Sequence, residues 1–482
     1  VFSVCVAFVL CAFASVASAR TIYVPDDYEK IQWAVDNASA GDTIIVRGGV
    51  FHENIKVDKR LTLRSENGSE NCIVQAVDSH GDVFHVTADY VNISGFTIRG
   101  GDDGIYLDHA ENCNITNNNI SNNRHGISLG ASSNNSITRN NVSNNNCGIF
   151  LFSSNKNTIT SNSISNNEYE GIYLLWSSKN CITSNTMTND DVDIGGDELQ
   201  HWNTHIIENN TVNGKPLYYF KDTTGGKVPE DAGQVILANC TGMLVENLDI
   251  RNTDVGIEIG FSSQNTIKNN NVLNNRYGIS LGYSSNNTIS DNNVSNNNRG
   301  IRLLDSSNNT IIGNNISNNW DGIDLGLSSN NTITGNSISN NCYGIHLLDS
   351  SNNSITDNTI SNNEDGIFLG GSNNNITDNT ILDNMNGIYL LYSSNNTITG
   401  NNILNNWDGI EIFFSSNNII ANNTVSNNWM DGIYLHNSSN NTIYLNNFIN
   451  NTKSVYSSYD STNIWNSTSQ MTYTYGGRTY TN

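Results

Sequence analysis

Thirteen copies of the dipeptide Gly-Ile occur at intervals of 21 to 23 residues, apart from one interruption. One repeat begins at Gly322-Ile323, continues through Ser328-Ser329-Asn330-Asn331 and Ile338, and ends where Gly344 begins the next. A unit of about 22 residues with no run long enough for a helix must close one turn with very short strands and tight corners. The sequence therefore predicts a solenoid.

The apolar residues of each repeat alternate with polar ones. In the repeat at Gly322 they are Ile323, Leu325, Ile333 and Ile338. Because of this alternation, one face of each short strand points inward, and the three strands of a turn enclose a narrow core. Successive turns are then expected to pair as parallel strands about 4.8 Å apart. Asn recurs at the corners, where it tolerates a left-handed backbone and where its amide can bond the same Asn one turn away. We predict an all-β parallel β-helix of about 17 turns, each of roughly 22 residues.

The chain divides into four predicted parts. Residues 1–19 are apolar or small and end in Ala17-Ser18-Ala19, which is typical of a secretory signal peptide. Residues 20–80 are expected to form an N-terminal cap and the first turns, residues 81–452 the β-helix, and residues 453–482 a C-terminal segment. Between Gly171 and Gly256 the repeat is interrupted, and there we expect insert loops near 195–200 and 213–233. Both chain ends are expected to be incomplete.

Charge and composition narrow the location and the partners. The net charge of -23 at pH 7 disfavours nucleic acid and anionic membrane surfaces. Beyond the signal peptide, no apolar stretch approaches a transmembrane segment. The protein is therefore expected to be secreted or to lie at the cell surface. The six cysteines after residue 19 share no corner on adjacent predicted turns, so we expect free thiols.

Several stretches resemble known families. The opening Thr21–Tyr28, with Ala40-Gly41-Asp42-Thr43 and Leu61-Thr62-Leu63, resembles the N-terminal cap of pectate-lyase-like right-handed parallel β-helices. The Ser-Ser-Asn-Asn-Thr-Ile-Thr repeats resemble the family grouped with the copper-associated periplasmic protein NosD and with carbohydrate-binding and sugar-hydrolysis repeats. The insert that begins Asn213-Gly214-Lys215 is similar to one in surface proteins of methanogenic archaea. The resemblance implies a right-handed β-helix, and its relatives include binding, structural and enzymatic proteins.

One side of the predicted solenoid varies, while the other sides are nearly uniform Asn, Ser and Thr. The variable positions flank Gly-Ile and alternate between aromatic residues and carboxylates. Aromatic faces stack on sugar rings, while acids and arginines bond sugar hydroxyls, so we predict binding of an extracellular or cell-wall polysaccharide. The alternative is a surface where the fold tolerates any residue. The predicted glycan-binding residues are Tyr173, Trp320, Tyr343, Phe368, Tyr389, Trp407 and Tyr434.

The densest part of this variable side lies around Gly322. Its candidate catalytic residues are Asp321, Asp324, His346 and Arg302. Carboxylates one or two turns apart could serve glycoside hydrolysis. Alternatively, acids that hold Ca²⁺ beside an arginine base would suit uronide elimination, as the resemblance to pectate lyases implies. A polysaccharide lyase, hydrolase or epimerase is thus the alternative to a glycan-binding or envelope protein, and simple surface ion pairing is the third interpretation.

Metal sites are predicted at two further places. Asp191, Asp193, Asp197 and Glu198 form an acidic stretch that could take Ca²⁺. His85, His109 and His125 fall on successive predicted turns and are the best candidates for the copper that the NosD resemblance implies. The five methionines are scattered, which disfavours a copper carrier. The predicted glycan-binding role requires no cofactor.

Overall fold

The structure is a computed structural model that describes residues 19–458 and 461–466, together with the backbone of Thr472–Tyr475 and Arg478–Thr481. The predicted signal peptide lies outside these residues, apart from Ala19. The described chain forms a parallel β-solenoid of about 20 turns, which confirms the predicted all-β parallel β-helix. The count exceeds the predicted 17, and strand Lys215–Lys221, which lies in a segment predicted as an insert loop, contributes to the difference.

The first segment, residues 21–212, contains three parallel sheets, each with one strand per turn. Sheet 1 holds the Gly-Ile strands, and sheets 2 and 3 follow it within each turn. The strands of sheet 1 are Ile55–Val57, Phe84–Val86, Asp103–Asp108, His125–Gly130, Cys147–Phe152, Ile172–Leu175 and Val192–Gly195. Those of sheet 2 are Thr21–Val24, Thr43–Val46, Thr62–Ser65, Asn92–Ser94, Asn114–Thr116, Ser136–Thr138, Thr158–Thr160, Cys181–Thr183 and Ile206–Glu208. Those of sheet 3 are Gly49–His52, Cys72–Gln75, Thr97–Arg99, Asn119–Ser121, Asn141–Ser143, Ser163–Ser165, Thr186–Thr188 and Thr211–Val212.

The second segment, residues 215–457, repeats this arrangement. Its sheet 1 contains Lys215–Lys221, Gln234–Ala238, Val255–Gly260, Tyr277–Gly282, Arg299–Leu304, Asp321–Gly326, Tyr343–Leu348, Asp365–Gly370, Asn386–Leu391, Asp408–Phe413, Asp431–His436 and Lys453–Ser457. Its sheet 2 contains Leu244–Glu246, Thr266–Lys268, Thr288–Ser290, Thr310–Ile312, Thr332–Thr334, Ser354–Thr356, Asn375–Thr377, Thr397–Thr399, Ile419–Ala421 and Thr442–Tyr444. Its sheet 3 contains Asp249–Arg251, Asn271–Leu273, Asn293–Ser295, Asn315–Ser317, Ser337–Ser339, Thr359–Ser361, Thr380–Leu382, Asn402–Leu404, Thr424–Ser426 and Asn447–Ile449.

Three short elements complete the described chain. Helix Ile31–Asn37 lies near the N-terminal end and contributes Ile31, Ala34 and Val35 to the core. Helix Leu199–Asn203 and an antiparallel pair, Thr472–Tyr475 with Arg478–Thr481, are the others. Both helices are far shorter than a membrane-spanning helix. The six described cysteines are free, as the sequence predicts.

Glycine precedes isoleucine because neighbouring turns approach closely at this point. A Cβ on Gly322 would lie 2.5 Å from the carbonyl oxygen of Gly344 and 3.1 Å from a side-chain methyl of Ile338. Gly344 is in the same position against Gly366, also at 2.5 Å. Any larger residue would push two turns apart, so the repeated dipeptide marks a point of close packing in each turn where it occurs.

The paired asparagines at the corners divide two tasks between them. Asn340 has a left-handed backbone with φ of 57°, and its side chain is exposed. Its neighbour Asn341 is buried and bonds the next turn, because its Nδ2 donates to Asn363 Oδ1 at 3.0 Å and its backbone N donates to the same oxygen at 2.9 Å. The predicted Asn ladder therefore exists, and it uses one residue of each pair.

The two segments meet at a joint where the repeat is interrupted. Strand Thr211–Val212 of sheet 3 pairs antiparallel with Lys215–Lys221, which pairs in parallel with Gln234–Ala238. The predicted insert loop at 213–233 thus contains a strand, because Lys215–Lys221 begins sheet 1 of the second segment. The insert near 195–200 leads into helix Leu199–Asn203 rather than forming a simple loop.

At the joint, the last strand of sheet 1 of the first segment lies against sheet 1 of the second segment. Strand Val192–Gly195 ends sheet 1 of the first segment, and side chains of the second segment bond its free edge. Gln234 Nε2 donates to the carbonyl of Val192 at 2.7 Å, and Glu258 Oε1 accepts from the backbone N of Ile194 at 3.2 Å. Because outward-facing side chains of one sheet 1 meet the edge of the other, the two sheets converge on a shared cleft.

Candidate functional site

The outward side chains of sheet 1 form straight columns in the second segment. Successive turns place Arg302 beside Asp324, then His346, Phe368, Tyr389, Glu411 and Tyr434. We call this surface, from strand Arg299–Leu304 to strand Asp431–His436, the ridge. Parallel pairing in exact register produces it, because each turn places the residue after Gly-Ile directly above the last one. The sequence alignment of repeats predicts the same columns.

The aromatic rings of the ridge pack against one another. The ring centroids of Phe368 and Tyr343 are 5.6 Å apart, those of Phe368 and Tyr389 are 5.3 Å apart, and both pairs are edge to face. Tyr434 continues the series through Phe413, at 5.4 Å. The rings are half-buried, so edges and parts of faces are presented to solvent as a continuous apolar strip.

The other three predicted glycan-binding residues lie at different places. Trp320 and Trp407 stand at the corner just before sheet 1, with 59% and 50% of their surface exposed. Trp407 lines a shallow depression of about 430 Å³ together with Trp429 and Met385. Tyr173 belongs to the first segment and lines the cleft at the joint. The predicted set therefore follows one side of the molecule rather than one column.

The four candidate catalytic residues come together at the start of the ridge, with Arg299. Arg299 Nε donates to Asp321 Oδ2 at 3.0 Å and lies 2.9 Å from Asp324 Oδ2. His346 Nδ1 is 3.5 Å from Asp321 Oδ1 and 3.6 Å from Asp324 Oδ1. Arg302 Nε is 4.0 Å from Asp324, and its guanidinium covers the ring of Tyr277 at 4.9 Å. We call these five residues the charged cluster.

Burial affects one carboxyl of the charged cluster and one beside it. Burial raises the pKa of Asp324, although the Arg299 guanidinium opposes the change. One turn further along the ridge, burial raises the pKa of Asp365 to about 6. A carboxyl group that keeps its proton near neutral pH can act as a general acid. Asp321, Asp324 and His346 also present ligand atoms within 4.8 Å of one another, so they could hold a metal ion.

Sheet 1 of each segment contributes one wall to the cleft at the joint. Tyr173, Trp176 and Asp193 come from the first segment, and Ser280 and Arg302 from the second. The cleft has a volume of about 370 Å³. Since Arg302 also belongs to the charged cluster, the cleft and the ridge form one continuous surface. The sequence alone does not reveal this cleft, because the joint breaks the repeat that fixes every other neighbour.

The predicted acidic metal stretch is divided by the structure. Asp191 and Asp193 are inside the joint, whereas Asp197 is largely exposed and lies 3.8 Å from His201. Glu198 caps helix Leu199–Asn203 through its side chain. The four residues therefore form no single site. The acids that accompany Asp193 are Glu170 and Asp254, which are distant from it in sequence and were missed for that reason.

The histidines considered for copper do not converge. His85, His109 and His125 each pair with a different carboxylate, at 2.8, 2.6 and 2.6 Å. Within the described residues, no group of three potential metal ligands contains two of these histidines. Asp108 links two of them, because His85 Nε2 also lies 3.5 Å from Asp108 Oδ2, whereas His125 pairs with Asp103.

Comparisons with known proteins agree with this architecture. Residues 82–229 and 233–375 match the family model described as right handed beta helix region, and residues 321–482 match that of periplasmic copper-binding protein (NosD). A cell surface glycoprotein of Methanothermus fervidus is 40% identical over 102 residues, which are 21% of this chain and 17% of that protein. The chain thus spans less than a fifth of that relative's length.

Solved structures with a similar backbone include two enzymes that act on polysaccharides. Alginate lyase from Paenibacillus sp. str. FPU-7 has 17% identity and a TM-score of 0.35, over 64% of this chain and 99% of that one. Polygalacturonase from Erwinia carotovora has 13% identity and a TM-score of 0.34, over 64% of this chain and 93% of that one.

The surface relative and the periplasmic family model agree with a secreted or cell-surface location. The right-handed β-helix model matches more than half of the 482 residues. The chain belongs to the right-handed β-helix family.

Proposed function

We propose that this surface protein binds a polysaccharide along the ridge and into the cleft at the joint. The observation that supports the proposal is the unbroken register of sheet 1, which repeats aromatic rings and hydrogen-bonding groups once per turn. A polymer of repeating sugar units can contact such a surface many times, so weak contacts add along the chain. The half-buried rings offer apolar strips to sugar C–H groups, and the flanking acids accept hydrogen bonds from hydroxyls.

The charge of the ridge favours a neutral polysaccharide. Arg299 and Arg302 are already paired with Asp321 and Asp324. Beyond them the strands of the ridge contain acids and no lysine or arginine, and the acidic residues in or directly before these strands are Glu364, Asp365, Asp408, Glu411 and Asp431. A polyuronide would meet repulsion along this stretch, whereas hydroxyl groups would not. We therefore expect neutral chains to bind more tightly than polyanionic ones at low salt.

Affinity electrophoresis through gels that contain cell-wall polysaccharide tests this function. Trp320→Ala and Trp407→Ala remove exposed rings without opening the core, and each should weaken retention about two- to tenfold. Thr332→Ala, on sheet 2, is the matched control and should migrate like the wild type. Equal retention of all three variants, with unchanged melting temperatures, would exclude the corner tryptophans beside the ridge from the binding surface.

The charged cluster supports a second candidate, cleavage of the bound polysaccharide. The supporting observation is that Asp321, Asp324, His346 and Arg302 meet at the point where ridge and cleft join. In this role Asp324 would donate a proton to the leaving glycosidic oxygen, while a water that gives its proton to Asp321 attacks the anomeric carbon. In elimination, Arg302 would instead stabilise negative charge on the substrate.

Activity assays separate binding from cleavage. Asp324→Asn should abolish release of reducing ends while retention in the affinity gel persists. Unsaturated products that depend on Arg302 would indicate elimination rather than hydrolysis. Absence of both product types with the wild type, over neutral and uronic polysaccharides and with or without Ca²⁺, would reduce the cluster to ion pairing within a binding surface.

A further inference from the structure

Five carboxyl groups meet inside the joint, where the two segments touch. They are Glu170, Asp191 and Asp193 of the first segment and Asp254 and Glu258 of the second. Asp191 Oδ2 accepts from the backbone N of Val255 at 2.6 Å, so the acids are part of the contact itself. Asp191 has 0% of its surface exposed, and Asp254 and Glu258 have 3% each.

The positive charge beside these acids is too small to balance them. Arg276 Nη1 lies 2.9 Å from Glu170 and 3.5 Å from Asp254, and it is the cation that bonds the group directly. Asp191 Oδ1, Asp254 Oδ2 and Glu258 Oε2 are buried and have no hydrogen-bond partner. Buried carboxylate oxygens without a partner are strongly destabilising unless a cation or a proton satisfies them.

Three of the acids have the spacing of a cation site. Glu170, Asp193 and Asp254 each present an oxygen, and these oxygens all lie within 4.8 Å of one another. Oxygens bound to one Ca²⁺ at about 2.4 Å are separated by at most about 5 Å. A cleft of about 490 Å³, lined by Tyr169, Asp254 and Arg276, provides a path from solvent.

We propose that a divalent cation, Ca²⁺ by its chemistry, binds Glu170, Asp193 and Asp254 and fastens the two segments to each other. The donor set is all oxygen, which favours a hard cation over copper or zinc. Two ligands come from one segment and one from the other, so the bound ion links residues that no continuous strand connects. The ion fixes the angle between the segments and hence the shape of the cleft.

Thermal unfolding of the metal-stripped full chain tests the joint site. Adding millimolar Ca²⁺ at pH 7.5 should raise the melting temperature by about 3 °C or more. Asp254→Asn and Glu170→Gln should remove most of this rise, because each deletes one ligand charge while keeping the side-chain shape. Asp197→Asn is the matched control, since its carboxylate lies nearby but is largely exposed, and it should keep the full rise.

Terbium luminescence provides a readout that does not depend on stability. Tyr169 and Tyr173 line the clefts next to Asp254 and Asp193, so Tb³⁺ in the site should be sensitised by tyrosine excitation and displaced by Ca²⁺. The Asp254→Asn variant should lose this signal, and Asp197→Asn should retain it. No Ca²⁺-dependent rise in the wild type, or an equal rise in Asp254→Asn, overturns the proposal. A more stable Asp254→Asn variant with no metal response would show that protons balance these acids.

Discussion

At the residue scale, the stack depends on buried polar side chains as much as on its aliphatic core. Asn336 is 1% exposed, its Nδ2 donates to the carbonyl of Ile311 at 2.9 Å, and its Oδ1 accepts from the backbone N of Asn314 at 2.9 Å. Asn358 repeats these contacts one turn on, because its Nδ2 donates to the carbonyl of Ile333 and its Oδ1 accepts from the backbone N of Asn336. Each ladder asparagine therefore satisfies backbone groups at a corner where strand pairing is interrupted.

Replacing one ladder asparagine should destabilise the chain far more than replacing its exposed neighbour. Asn336→Ala leaves the carbonyl of Ile311 and the N–H of Asn314 without their partners, so we expect a loss of about 2 to 4 kcal/mol in the free energy of unfolding. Ser337→Ala, on the outer face of sheet 3, should change stability by less than about 0.5 kcal/mol. Urea unfolding followed by circular dichroism measures both, and similar losses would contradict the ladder's role.

Glu411 should make stability depend on pH near neutrality. Burial, followed by the nearby Asp408 carboxylate, raises the pKa of Glu411 to about 7. In the unfolded chain its pKa is about 4.3, so between about pH 4.5 and 7 the folded state holds a proton that the unfolded state has released. Stability is therefore highest below this window and falls as the pH rises through it.

Glu411→Gln should flatten this part of the pH profile. The amide of the variant does not titrate. When the pH is raised from 4.5 to 7.5, the free energy of unfolding should therefore fall by about 1 to 3 kcal/mol less in the variant than in the wild type. Urea unfolding at several pH values measures the difference. Glu208→Gln, on an exposed position of sheet 2, is the control. An unchanged profile in Glu411→Gln would show that other groups cause the pH dependence.

At the element scale, the sequence predicts strands well wherever the repeat persists. Ile323, Leu325, Ile333 and Ile338 are all fully buried, as their alternation predicts. The same register brings Asp321, Asp324 and His346 together, because residues one repeat apart in the sequence lie side by side on neighbouring parallel strands. The joint follows no such rule. Lys215–Lys221 is a strand whose partner is set by the antiparallel turn before it, and sequence spacing contains no information about that partner.

Trp202 should stabilise the joint through apolar packing between the two segments. Its side chain is nearly buried, its Nε1 donates to the carbonyl of Gly196 at 2.8 Å, and its ring lies directly against Gly260 of the second segment. Trp202→Ala should lower the free energy of unfolding by about 3 to 5 kcal/mol through the cavity it creates. Trp33→Ala, at an exposed position of helix Ile31–Asn37, should cost less than about 1 kcal/mol. Denaturant unfolding distinguishes these outcomes, and equal losses of stability in the two variants would contradict a stabilising role of Trp202 at the joint.

At the scale of the whole molecule, the joint divides the stack into two segments that line one cleft together. The first segment contributes Tyr173 and Asp193 to that side, and the second contributes Arg302 and the ridge. The nearly uniform Asn, Ser and Thr of sheets 2 and 3 face outward elsewhere. Tyr173, Trp176 and Arg302 thus lie together where a polymer could enter the cleft.

Hydroxyl-radical footprinting with and without polysaccharide tests the location of binding most directly, because the reagent modifies exposed aromatic side chains. Binding along the ridge predicts that saturating neutral polysaccharide protects Trp320, Tyr389 and Trp407 at least several-fold. Trp33 near the N-terminal end and Tyr444 on sheet 2 should react at the same rate with or without ligand. Protection of the two controls to the same degree, or no protection of the ridge under conditions where the polysaccharide is bound, would contradict the proposed function.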